Sequence, residues 1–146
     1  MAIETGAIGK TFEPVEFAVE ADRISQYASA VGAENPVHHD ADAAKAAGFR
    51  DVVAPPMFAV VYSAQALGNV LIDPEVGLNL MMMVHGGQEF VWSEPVCAGD
   101  TIATTATVKD IAERDGKGFY IFESVSVNQD GQEVVRATWT NIVRGV

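Results

Sequence analysis

The first apolar patch, Phe12-Glu13-Pro14-Val15-Glu16-Phe17, predicts a short strand, and its proline confines it to a sheet edge or a strand start. Apolar residues then fall at helical spacing from Ala21 to Val31, at Ile24, Tyr27, Ala28 and Val31, and Gly32 can stop that helix. Asn35-Pro36-Val37-His38-His39-Asp40 opens with an Asn-Pro pair and reads as a loop. Asp40 is a natural N-cap for a short helix over Ala41 to Ala47, closed by Gly48. Val52-Val53-Ala54-Pro55-Pro56 is extended, because a residue before proline avoids the helical region.

Met57 to Leu67 has helical length, follows a proline suited to a first turn, and is apolar almost all round. Such a helix is buried on most sides. Leu78 to Trp92 reads as one long apolar strand region, bent or broken at Gly86-Gly87. Thr101 to Ile111 is rich in β-branched residues, Asp115-Gly116 predicts a hairpin before Phe119 to Val127, and Asp130-Gly131 predicts another before Val134 to Val143. The order is strand, helices, one buried helix, then four antiparallel strands: an α+β class. A curved sheet wrapped around the helix suits this pattern. Helices on one face of a flat sheet would need a polar side on the central helix, which has little to expose. A small sheet with open edges and an apolar layer also favours pairing edge to edge, hence a dimer.

The length of 146 residues fits one domain, taken as 1–146. The start, Met1-Ala2-Ile3-Glu4-Thr5-Gly6, has no basic segment and no long apolar run, so no secretory signal is expected. No stretch reaches the roughly 18 apolar residues of a membrane span. Cys97 is the single cysteine and has no internal disulfide partner, which suits a reducing cytoplasm. The net charge is −11, and the nine basic residues are scattered singly. Neither nucleic acid nor an anionic membrane surface is therefore expected as a partner.

Three histidines, His38, His39 and His85, are the first candidates for chemistry. GxSxG, Cys-x-x-Cys, Gly-rich phosphate-loop and HExxH patterns are missing, and no metal is expected. Adjacent rings in extended chain point opposite ways, so His38 and His39 do not share a ligand. A lone histidine is most simply a satisfied loop residue. His38, however, belongs to an ordered set: Ala33-Glu34-Asn35-Pro36-Val37-His38-His39-Asp40, the Ala-rich stretch to Gly48-Phe49-Arg50, then Val53-Ala54-Pro55-Pro56-Met57-Phe58. His85-Gly86-Gly87-Gln88 and Glu94-Pro95-Val96-Cys97-Ala98-Gly99-Asp100 extend it. From about residue 20 onward the chain resembles the MaoC-like dehydratase, or R-specific enoyl hydratase, family. It is most similar to the N-terminal dehydratase subgroup, which supplies one half of two-part hydratases and the A- or C-type subunits of hydroxyacyl-carrier-protein dehydratases.

That resemblance implies a hot-dog fold and reversible water loss from a (3R)-hydroxyacyl thioester of fatty-acid metabolism. CoA or phosphopantetheine would come as part of the substrate, with no separate cofactor. In the family an Asp and the motif His share the proton transfers, and a backbone N–H at the start of the central helix meets the thioester oxygen. Here His38 takes the histidine role, Asn35 and Asp40 position the loop, and Ala54, Pro55, Pro56, Met82 and His85 are candidates for the substrate tunnel. Lys45 and Arg50, otherwise solvated, are candidates for a phosphate contact. Two positions depart from the family. The aspartate position is Ala33, with Glu34 next door as a substitute, and the oxyanion position is Pro56, which lacks an N–H and leaves Met57 as the nearest amide. His85 is otherwise a strand residue and Met82 a core residue.

Three functions compete: a dehydratase or hydratase, acting as a homodimer or with a catalytic MaoC-like partner chain; a non-catalytic acyl-thioester-binding or stabilising subunit; and a hot-dog acyl thioesterase. The third ranks last, because Met57 to Leu67 carries no carboxylate to activate water.

Overall fold

Alternating burial builds the strands, and spacing of three and four builds the helices. The computed structural model describes residues 3–146, so Met1 and Ala2, the start of the expected 1–146 domain and of the expected leaderless N-terminus, lie outside the described residues. The elements in chain order are β1 (Val15–Ala18), α1 (Ala21–Ala30), α2 (Ala41–Ala46), α3 (Ala59–Leu71), β2 (Met83–Trp92), β3 (Thr101–Arg114), β4 (Lys117–Val127) and β5 (Glu133–Arg144). Single 3-10 turns at Pro36–His38, Pro56–Phe58 and Leu80–Met82 precede α2, α3 and β2.

The sheet has five antiparallel strands in the order β1-β3-β4-β5-β2. In β3 the residues Ile102, Thr104, Ala106 and Val108 face inward. The phase then slips, because a bulge between Val108 and Asp110 lets Ile111 also face in. β4 turns Tyr120, Phe122, Ser124 and Ser126 to the same side. Asp115 (φ 52°) and Gly116 (φ 73°) make the β3–β4 hairpin, both in the left-handed region that a two-residue primed turn requires. A second bulge interrupts β2 between His85 and Gly87. There a Cβ on Gly86 would meet the end of the Ile142 side chain at 2.5 Å, so a larger residue would have to push that side chain aside.

α3 lies across β1, β3 and β4. Its buried residues Ala59, Tyr62, Ala66, Leu67 and Val70 pack into two clusters. One surrounds Phe122, Tyr120 and Val108; the other surrounds Phe58, whose ring meets Tyr27 at 5.4 Å and Phe17 at 6.2 Å. The sheet around a central helix is the arrangement expected from the pattern, and it is the hot-dog fold that the resemblance implies. The helix begins two residues later than the expected Met57 and runs four beyond Leu67, with the first turn wound as 3-10. One expectation changes. α3 is not enclosed all round: Ala64 and Gln65 are exposed and Val60 is half-buried. Val60 and Ala64 border a groove of about 250 Å³, with Gly68 beside them and with His85, Trp139 and Asn141 of β2 and β5 opposite.

Candidate active site

The loop ahead of α2 is tied down at both ends by side-chain caps. Asn35 Oδ1 accepts the Val37 amide at 3.2 Å, and Asp40 Oδ1 accepts the Asp42 amide at 2.9 Å. The amide of Asp40 also donates to the Pro36 carbonyl at 2.9 Å, closing the turn that carries His38. Extended Val53 then grips the turn twice. Its amide donates to the Val37 carbonyl at 3.0 Å, and its carbonyl accepts Nδ1–H of His38 at 2.7 Å. A carbonyl only accepts, so Nδ1 carries the hydrogen and Nε2 of the neutral ring holds the free lone pair.

His38 is half-buried on the wall of a cavity of about 480 Å³. Asn35 and Val37 stand beside it, Ala47 and Phe49 come from the end of α2, and Val53 to Pro56 form the approach to α3. Tyr62 reaches in from α3 itself, and Trp92 to Val96 with Val134 complete the enclosure. Trp92 Nε1–H donates to the Pro56 carbonyl at 2.9 Å, fastening the end of β2 to the first turn before α3. The wall is largely apolar. Among the described residues that line it, Glu94 alone carries a formal charge.

His39 points away from the cavity, although the two histidines ride a 3-10 turn and not the extended chain that the sequence suggested. It is exposed, yet both ring nitrogens are used: Nε2–H donates to the Ala33 carbonyl at 3.0 Å and Nδ1 accepts from Ser25 Oγ at 2.7 Å. That makes His39 a tie between α1 and the loop. Glu34 is exposed and lies outside the cavity wall. Ala54, Pro55 and Pro56 line the cavity. Met57 does not: it is 47% exposed, and its amide donates to no acceptor among the described residues. Met82 sits in the 3-10 turn before β2, remote from His38 in the wall and 38% exposed. His85 lines the separate groove beside α3, with its ring 6.2 Å from that of Trp139.

The two expected phosphate contacts also separate. Lys45 is exposed on α2, outside the cavity wall. Arg50 forks onto the buried carboxylate of Asp100 at 2.8 and 2.9 Å, so its charge is already answered within the protein. That bond raises the Arg50 pKa further. Burial alone would raise the Asp100 pKa, but Arg50, the Cys97 amide and Gln129 together hold it below its ordinary value.

Tyr62 and Trp92 join the site without having been singled out in the sequence, and Glu94, quoted there only as the start of a motif, joins it as a wall residue. A signal existed for Tyr62, since a tyrosine in an otherwise apolar buried helix must find a partner or an opening for its hydroxyl. Among the described residues, no helix is long and apolar enough to cross a membrane.

A UPF0336 protein of Saccharopolyspora erythraea is 37% identical to this chain, over 99% of this chain and 94% of its own length. A chain of the C-terminally truncated HadBC (3R-hydroxyacyl-ACP dehydratase) complex of Mycobacterium tuberculosis superposes with a TM-score of 0.85 at 25% identity, covering 96% of this chain and 99% of that one. The R-hydratase PhaJ1 of Pseudomonas aeruginosa shares the fold, with a TM-score of 0.72 at 19% identity over 95% and 83% of the two chains. The family model for the FAS1-like dehydratase domain region matches residues 6–137. On the motif around His38, the fold and these likenesses, the chain belongs to the FAS1-like dehydratase-region family and has the hot-dog fold of the MaoC-like dehydratases.

Proposed function

We propose that the chain is the substrate-binding subunit of a (3R)-hydroxyacyl-thioester dehydratase, or enoyl-thioester hydratase, of fatty-acid metabolism, and that a MaoC-like partner chain completes the catalysis. The observation that carries this reading is His38 on the cavity wall, held by Val53 so that Nε2 is its unbonded nitrogen. In the hydration direction, a water oxygen bonds to C3 of the enoyl thioester while its proton passes to a base. C2 gains a proton, and the double bond becomes a single bond. Charge builds on the thioester oxygen during the addition, so a donor must meet that oxygen. Nε2 of His38 suits the base.

Two groups are lacking for the full reaction. Ala33 neither takes nor gives a proton, and Pro56 has no N–H. Both changes affect chemistry and leave the fold intact, which supports a binding half over a self-sufficient enzyme. The HadBC likeness adds weight, because that dehydratase is a complex. The open edge of β2 and the groove beside α3 offer the partner a place to pair. The cavity wall holds no cation among its described residues, so the phosphates of CoA or of phosphopantetheine are met beyond it. No cofactor other than that thiol carrier is proposed. A cytoplasmic location suits the buried free thiol of Cys97. The thioesterase reading finds no support on α3, which carries no carboxylate.

The test is crotonyl-CoA hydration, followed by loss of the enoyl absorbance. The purified chain alone should turn over slowly. Addition of a MaoC-like chain with an intact Asp and His motif should raise the rate. Fast turnover by the chain alone, or a pair no faster than the MaoC-like chain by itself, would overturn the proposal.

A further inference from the structure

A thioester bound beside His38 needs a hydrogen-bond donor for its carbonyl oxygen, and the first turn before α3 cannot offer one at Pro56. One side chain in the same cavity can. Tyr62 sits one helical turn after Phe58, its ring tilted against the Phe58 ring at 6.2 Å, and only 4% of the residue is exposed. Its hydroxyl makes no hydrogen bond with the described residues, yet it is not among the sealed and unpartnered polar atoms, a state that belongs to Gln88 Oε1. The hydroxyl therefore meets open space, and the open space that Tyr62 borders is the cavity it shares with His38. The residue is otherwise buried and its hydroxyl has no partner among the described residues, so a ligand group in that cavity can supply one.

We infer that the Tyr62 hydroxyl donates to the thioester carbonyl oxygen of the bound acyl group, in place of the amide lost at Pro56. This rests on the thioester reading above. Burial pushes the Tyr62 pKa up, so the phenol stays protonated and able to donate throughout the physiological range. The ring is held among Phe58 and its aromatic neighbours, so the donor is set in place before the ligand arrives. Because the acyl carbonyl would lie between Tyr62 and His38, the residue is a substrate contact and not a remote support.

Tyr62→Phe removes one oxygen and keeps the ring, so the packing around Phe58 is preserved. Butyryl-pantetheine labelled with ¹³C at the carbonyl is a saturated probe that hydration cannot consume. It is titrated into the full chain and into the variant, with Kd read by calorimetry and the carbonyl stretch by infrared difference. The wild type should shift the carbonyl band to lower frequency. Tyr62→Phe should lose that shift and bind about 2- to 13-fold more weakly, the range of one neutral hydrogen bond. Equal bands in the two proteins would overturn the role of Tyr62 while leaving thioester binding in place. A wild type that takes up no thioester would overturn both readings.

Discussion

Removing the carboxylate of Asp100 is expected to loosen the floor on which His38 rests. Asp100 is 1% exposed, and its two oxygens accept four hydrogen bonds. Oδ1 takes Arg50 Nη1 at 2.8 Å and Gln129 Nε2 at 3.0 Å; Oδ2 takes Arg50 Nη2 at 2.9 Å and the Cys97 amide at 2.9 Å. The turn that it orders is itself bonded to the cavity wall. Ala98 N–H donates to the Val52 carbonyl at 2.8 Å and Ala54 N–H to the Val96 carbonyl at 2.8 Å, on either side of the Val53 carbonyl that holds His38. Asp100→Ala would leave the Cys97 amide buried and unpaired, at a cost of about 1–3 kcal/mol. The Arg50 side chain is 57% exposed and regains water, so the ion pair itself adds only about 0.2–1 kcal/mol. The sum is about 1–4 kcal/mol. At roughly 2–4 °C per kcal/mol for a domain of this size, its middle corresponds to a Tm lower by about 5–10 °C. The acid limb gives an independent check. The folded Asp100 pKa lies below its ordinary 3.8, so the unfolded chain binds more protons there. The stability from Asp100 is present above that value and is lost as pH falls through the folded pKa. Arg50→Ala removes the cation that holds the folded Asp100 pKa down, so that pKa moves up toward the unfolded value and the acid-dependent loss of stability should shrink. Thermal and urea unfolding at neutral pH and between about pH 2 and pH 5 measure both effects. An Asp100→Ala chain that melts within about 1 °C of wild type would refute the reasoning, since even one orphaned buried amide should cost more.

His39→Ala should weaken folding by about 1–3 kcal/mol, because two hydrogen bonds at about 0.5–1.5 kcal/mol each join α1 to the loop. Urea unfolding reads it, and an unchanged midpoint would remove His39 from the structural account. Light scattering at micromolar concentration should show a dimer formed by the β2 edge and the groove beside α3. Val70→Asp should prevent folding by burying an unpaired carboxylate at a fully enclosed position, whereas Val60→Asp, on the open side of α3, should fold and shift the chain toward monomer. A monomeric wild type, or a folded Val70→Asp, would contradict this placement.

Local signals placed the elements of this chain well, because the forces that set them act within a few residues. Asn35 and Asp40 cap their turns through neighbouring amides, Asp115-Gly116 closes its hairpin, and β3 alternates until its bulge. The turn that carries the candidate base is closed by its own caps, while the ring of His38 is set by the Val53 carbonyl, fifteen residues on. The ordered set of motifs carried the family and the hot-dog fold.

Long-range pairing is another matter. Arg50 and Asp100 are fifty residues apart, and nothing near Arg50 in sequence shows that its charge is neutralised within the fold. Tyr62 and His38 share a cavity because Val53 and Trp92 bring a turn, an extended segment and a helix start together. Apolar composition was also ambiguous along α3, since a residue facing a core and one facing a groove for a partner have the same preference to leave water. The sequence by itself therefore determined the elements, their order and the fold. Only the tertiary structure decided which side chains share the cavity, which charges are already paired and which face of the helix stays open, because those depend on contacts between segments that no local pattern encodes.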